Sequence, residues 1–199
     1  MSSLGPDDRR RIDEASASLQ RGDVAGAAAA MRGLSPAANG HPDASLVAAR
    51  ILLAQGRDAV ARQVLEAAIA LTPNRPDLWD TLGDAFAGRP EDAERAYAEA
   101  AARSPNPFEY WLQRAMSALD RARLDAAEAA VDRLSGLAPA DPRRWVAQGL
   151  LEQARGRAAE AIECYRRALK LAPADGVARH NLAAALRVSD VSPLLERRR

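Results

Sequence analysis

One stride runs through this chain. Pro73, Pro105, Pro139 and Pro173 stand 32, 34 and 34 residues apart, and Trp79, Trp111 and Trp145 follow at 32 and 34. Two residue types with unrelated chemistry share a period, so one unit is used several times. A unit of this length cannot bury its apolar face alone; it needs a neighbour of the same kind. Between each tryptophan and the next proline lie two amphipathic helical patterns joined by a short turn. Alanine, roughly a quarter of the chain, favours closely packed helix.

The spacing also says how the helices meet. Small residues recur at one position of each first helix (Ala15, Ala49, Gly83, Ala115, Gly149) and of each second helix (Ala27, Ala61, Ala93, Ala127, Ala161). They let backbones approach to the short end of the ~8–10 Å interaxial range. Leu65, Tyr97, Val131 and Tyr165 fill the space beside them. Prolines end each second helix and redirect the chain. Asp141-Pro142 and Asp175 read as helix starts. Gly22, Gly56 and Gly156 fall in the turns inside units, where a left-handed residue is needed. An ordinary helical bundle would not require this spacing five times.

These residues resemble the tetratricopeptide repeat (TPR) pattern, W-x2-L-G-x2-Y, then A-x3-F, then P. Residues 76–107 carry Trp79, Leu82, Gly83, Phe86, Ala93, Tyr97, Ala100 and Pro105, with two residues deleted from the inner turn. Residues 142–175 carry Trp145, Gly149, Ala161, Tyr165, Ala168 and Pro173, with Gln148 and Glu152 where leucine and tyrosine are usual. Residues 108–141 keep Trp111, Ala115, Ala127, Val131 and Pro139 but place Arg114 at the leucine position. Residues 42–75 lack the tryptophan, and 8–41 form a degenerate first repeat. The resemblance implies an all-α fold: a right-handed α-solenoid of TPR helix-turn-helix repeats, ending in a capping helix over 176–188. Residues 1–7 are expected to be a disordered N-terminus and 189–199 a tail. The turn-rich segment 35–43 is a candidate hinge.

Composition removes several functions. With 28 basic and 27 acidic residues the net charge is +1, which gives no field to steer nucleic acid or an anionic membrane. Neither is expected as a partner. Every basic residue but Lys170 is arginine, a bias read as that of a bacterial genome. No apolar run approaches the ~20 residues of a membrane span. The first residues show no secretory pattern, so the expected location is cytoplasmic. The single cysteine, Cys164, forms no internal disulfide and no thiolate metal cluster. No metal or other cofactor is expected.

No catalytic constellation is visible either. Glu152, Glu160 and Glu163 have no histidine near them, and such glutamates are far more often solvated helix surface. Cys164 has no histidine at helical spacing, which favours a structural thiol. Gly22–Gly26 lacks the strand and the Lys-Ser/Thr of a phosphate loop. The chain is therefore expected not to be an enzyme. The alternative is a recruiting region of a larger bacterial transferase, of the sulfotransferase or glycosyltransferase type, whose catalytic domain lies outside this chain. That alternative is family analogy alone.

The resemblance implies a concave surface lined by first helices. In register, the candidate groove residues are Leu46, Arg50, Asp77, Asp80, Asp84, Leu112, Gln113, Met116, Arg143, Val146, Leu150, His180 and Asn181. Asp77, Asp80 and Asp84 stand at i, i+3 and i+7 with apolar groups to either side. Such a surface suits a protein or peptide segment with apolar anchors and a basic residue between them. The plainer alternative is a solvated acidic face with start-of-helix charge and leucines that belong to the core. The clamp by which some family members hold acidic C-termini needs lysine, asparagine and arginine, and Leu46, Arg50, Thr81, Glu109 and Gln113 occupy those places. The last helix, with Ala184, Ala185 and Val188 on its outer side, offers a surface for weak self-association.

Overall fold

The computed structural model describes residues 4–86 and 88–196, with side chains to Val188. Among the described residues there are eleven helices and no strand. They fall into two units, Met1–Pro105 and Asn106–Arg199.

The first unit holds three helix pairs: α1 (Pro6–Gln20) with α2 (Val24–Met31), α3 (Pro42–Ala54) with α4 (Asp58–Leu71), and α5 (Pro76–Asp84) with α6 (Pro90–Arg103). Proline in the first turn presets the dihedral where no amide bond is lost, in α1, α3, α5 and α6. The Asp23 carboxylate caps α2 by accepting from the Gly26 amide at 2.8 Å. Nδ1 of His41 accepts from the Asp43 amide at 3.3 Å and so caps α3, a role its sequence context did not suggest. α3 is covered on two sides. Val47 and Ile51 pack with Ile12, Ala15 and Ala27, while Leu46 and Ala49 pack with Leu65, Leu78 and Leu82.

The second unit holds α7 (Pro107–Asp120) with α8 (Leu124–Leu137), α9 (Pro142–Ala154) with α10 (Ala158–Leu171), and α11 (Gly176–Glu196). Asp141 and Asp175 cap α9 and α11 as expected, accepting from the amides of Arg143 and Val177. The core joins Val146, Ala161, Ile162 and Tyr165 to Ala178 and Ala185 of α11. Burial pushes the Tyr165 hydroxyl up to about 12.

Small and large side chains pair as the sequence implies. A methyl added at Gly83 would fall inside van der Waals contact of the Tyr97 ring, and one at Gly149 inside that of Tyr165. Each tryptophan lies beneath an arginine of the second helix of its pair. Arg103 stands 4.7 Å from the Trp79 ring, Arg133 5.9 Å from Trp111 and Arg167 4.7 Å from Trp145. Such a contact contributes on the order of 0.5–1 kcal/mol.

Two boundaries differ from expectation. α1 starts at Pro6, inside the stretch expected to be disordered; residues 1–3 lie outside the described residues. α11 runs to Glu196, past the expected end at 188. The turn-rich segment 35–43 is anchored at several points. Ala38 and Pro42 are buried, and the Ser35 amide and hydroxyl donate to Asp8 at 2.9 and 2.7 Å.

Candidate functional site

In the first unit, most expected groove residues already have partners. Leu46 is 8% exposed and belongs to the core. Arg75, which immediately precedes α5, donates through Nε to Asp77 at 2.9 Å and through Nη1 to Asp43 at 2.6 Å. Burial would raise the Asp77 carboxyl, but the hydrogen bonds and charge of Arg75 outweigh it and hold that group below the usual carboxylate range. Asp84 accepts from the Tyr97 hydroxyl at 3.0 Å. Asp80 is half-buried and also engaged within the chain. The three aspartates share a face, as their spacing requires, but two of them are tied to identified residues of their own fold. Arg50 is exposed on α3.

In the second unit, Val146 is 8% exposed and is core. Arg143 lies in an arginine–carboxylate cluster related to that of Arg75 with the charges exchanged. Its Nη2 donates to Asp141 at 2.9 Å and its Nη1 to Glu109 at 3.0 Å, and its guanidinium stands 4.8 Å from the Phe108 ring. The hydrogen bond from Arg143 is the main reason the Asp141 carboxyl lies below its ordinary range. His180 is exposed and Asn181 half-buried on α11.

Leu112, Gln113, Met116 and Leu150 do come to one surface. Leu112, Gln113 and Met116 line an open depression along α7, with Glu109, Ser117, Asp120 and Arg121. Between α7 and α9 the surface deepens into a cup of about 310 Å³, lined by Met116, Leu119, Asp120, Leu150, Gln153 and Ala154. Sequence reasoning missed Leu119, Asp120, Gln153 and Ala154. The signal was present: they continue the Leu112–Met116 and Val146–Leu150 rows by three or four residues, which stays on the same helix face.

The cup has a defined polar pattern. Gln153 Oε1 accepts from the Tyr165 hydroxyl at 3.0 Å, which leaves its amide nitrogen to donate. Neither that nitrogen nor the Asp120 carboxylate has a partner among the described residues. Among the described residues, Asp120 is the only charged group lining the cup. The walls are half-buried Met116, Leu119 and Leu150.

The residues weighed for chemistry take structural places. Glu152, expected on the surface, is 7% exposed. It accepts from Gln148 Nε2 at 2.7 Å and from Arg157 at 3.3 Å, with Arg155 at 3.8 Å. A buried carboxylate persists only with such partners. Cys164 is buried, and that burial pushes its thiol up. Among the described residues, no group of three or more His, Cys, Asp or Glu is placed to hold a metal ion, and no helix is long and apolar enough to cross a membrane.

Comparison with known proteins supplies the family. Three tetratricopeptide repeat models match residues 18–84, 84–142 and 142–175. No curated protein matches the sequence significantly. Among solved structures, the TPR protein TTC0263 of Thermus thermophilus is 23% identical with a TM-score of 0.57, over 90% of this chain and 98% of that one. PilW, a type IV pilus biogenesis factor, is 16% identical with a TM-score of 0.57, over 96% and 94%. MamA is 19% identical with a TM-score of 0.51, over 84% and 93%. At these identities the likeness is one of fold, the all-α TPR solenoid. With repeat models matched from residue 18 to residue 175 and the helix pairs in register, the chain belongs to the tetratricopeptide repeat family.

Proposed function

We propose that this chain is a non-catalytic interaction module that docks a segment of another protein in the α7–α9 cup. One observation carries the reading. Apolar side chains of two adjacent first helices remain half-exposed around a concavity, beside hydrogen-bonding groups that have no partner within the described chain. Concave, mostly apolar sites with a few convergent polar groups are where proteins receive ligands. The acidic face of the first unit is a weaker candidate, because Arg75 neutralises Asp77 and Tyr97 occupies Asp84.

Parallel affinity capture tests this with the wild type, Met116→Glu and the exposed control Glu91→Gln. Circular dichroism establishes that each is folded. A chain retained by the wild type and the control but lost with Met116→Glu supports the reading. If Met116→Glu retains every chain the wild type does, the cup is not the docking site.

A further inference from the structure

We propose that the cup selects segments in which an aliphatic side chain is closely followed by a lysine or arginine. This rests on the docking reading above and adds the chemistry of the occupant.

The walls fix the first requirement. Met116 and Leu119 of α7 face Leu150 and Ala154 of α9 across about 310 Å³, room for one branched aliphatic chain. Methionine adapts to the shape it meets. An aliphatic group there loses water contact against four apolar residues.

Charge fixes the second. Asp120 is exposed at the edge of the cup and has no ion pair or hydrogen bond among the described residues. The other nearby ions do not compete inside it. Glu109 is held by Arg143 at 3.0 Å. Arg121 lines the outer depression on α7 and not the cup. A cation beside the seated aliphatic chain therefore meets one carboxylate, and an anion meets repulsion. The Gln153 amide nitrogen, its oxygen occupied by Tyr165, is a donor suited to a backbone carbonyl of the same segment. The turn that follows Asp120 holds Ala122 at φ 54° and bonds its amide to the Leu119 carbonyl at 2.9 Å, which places this carboxylate at a constrained helix end rather than on a loose loop.

Fluorescein-labelled peptides that differ only at one pair test the proposal by anisotropy against the full chain: Leu-Arg, Leu-Gln, Leu-Glu and Ala-Arg in a Gly/Ser background. Leu-Arg is expected to bind about threefold more tightly than Leu-Gln, the range of an exposed ion pair, with Leu-Glu weakest. The advantage should vanish in Asp120→Asn and in roughly 1 M salt, where the Debye length is about 3 Å. Ala-Arg should lose about tenfold through the missing apolar contact. Met116-dependent binding with no preference between Leu-Arg and Leu-Glu would overturn the selectivity and leave the docking reading standing. Binding of no peptide, or binding indifferent to Met116→Glu, overturns both.

Discussion

At the scale of single residues, the strained position is Ala122. Gly22, Gly56, Gly88 and Gly156 close the other inner turns with φ between 71° and 77°, and Ala122 takes the same place at 54°. It makes the bonds those glycines make: its amide donates to Leu119 and the next amide to Ala118, as Gly156 and Arg157 do to Gln153 and Glu152. The left-handed conformation costs an L-residue about 1–2 kcal/mol, and glycine returns about 0.4–1 kcal/mol of that through the freedom of the unfolded chain. Ala122→Gly is thus expected to stabilise the protein by about 0.5–1 kcal/mol, read as a higher urea midpoint at unchanged slope; a lower midpoint would contradict the strain. The glycine turns were legible because glycine marks a positive φ, whereas nothing in an alanine does. Cys164 gives a second residue-scale prediction. Burial keeps its thiol protonated and covered, so a thiol reagent at neutral pH should modify it at least about tenfold more slowly in the native chain than in the urea-unfolded chain. Equal rates would mean that the α10 face is open.

At the scale of helices, packing obeys a rule of complementary size. Where a first helix carries glycine, the second carries tyrosine (Gly83 with Tyr97, Gly149 with Tyr165); where it carries alanine (Ala15, Ala49, Ala115), the partner position has Met31, Leu65 or Val131. Gly149→Ala forces a methyl into the Tyr165 ring and should cost up to about 2 kcal/mol, the overpacking penalty of about 1–3 kcal/mol less about 1 kcal/mol of regained helix propensity. Tyr165→Leu empties part of a fully buried site and should cost about 2 kcal/mol. Together they recreate the Ala49–Leu65 pairing, so the double variant should be more stable than the sum of the two by about 1 kcal/mol in denaturant titrations. Strict additivity would show that the two positions do not share space. The size rows were legible because they repeat at one stride. The groove was legible only in part. Leu46 and Val146 look like groove residues by register, yet helices covered on more than one side bury them. Asp77 looks like a free acid because its partner, Arg75, precedes the helix and so escapes any reading of helix faces. The cup itself extends one turn beyond the positions that define the family pattern, and Leu119, Asp120, Gln153 and Ala154 lay there.

At the scale of the whole molecule, each unit carries one arginine clamped between carboxylates at the start of its first helices. In the first unit it is Arg75 between Asp77 and Asp43; in the second it is Arg143 between Asp141 and Glu109. Within each set the residues occupy the same three places along the repeat, with the signs of two of them exchanged. What recurs is therefore one arginine between two carboxylates and not any one residue at a fixed place, which explains why repeat signatures do not reveal it. Each triad ties the first turns of successive first helices and contributes up to about 1 kcal/mol, since all its members are partly exposed. Asp77 and Asp141 both titrate below the ordinary range in the folded protein. Groups depressed in this way contribute stability that is present above their unfolded value, near 3.9, and lost as pH falls through the folded one. Thermal unfolding followed against pH should therefore show a gap between the wild type and the double variant Asp77→Asn/Asp141→Asn that is constant from about pH 5 to 7 and closes below about pH 4. Closure is expected because protonation removes from the wild type the same charge that the substitution removed from the variant. A gap that stayed open to the lowest pH at which the chain folds would place these carboxylates' contribution in packing instead of charge.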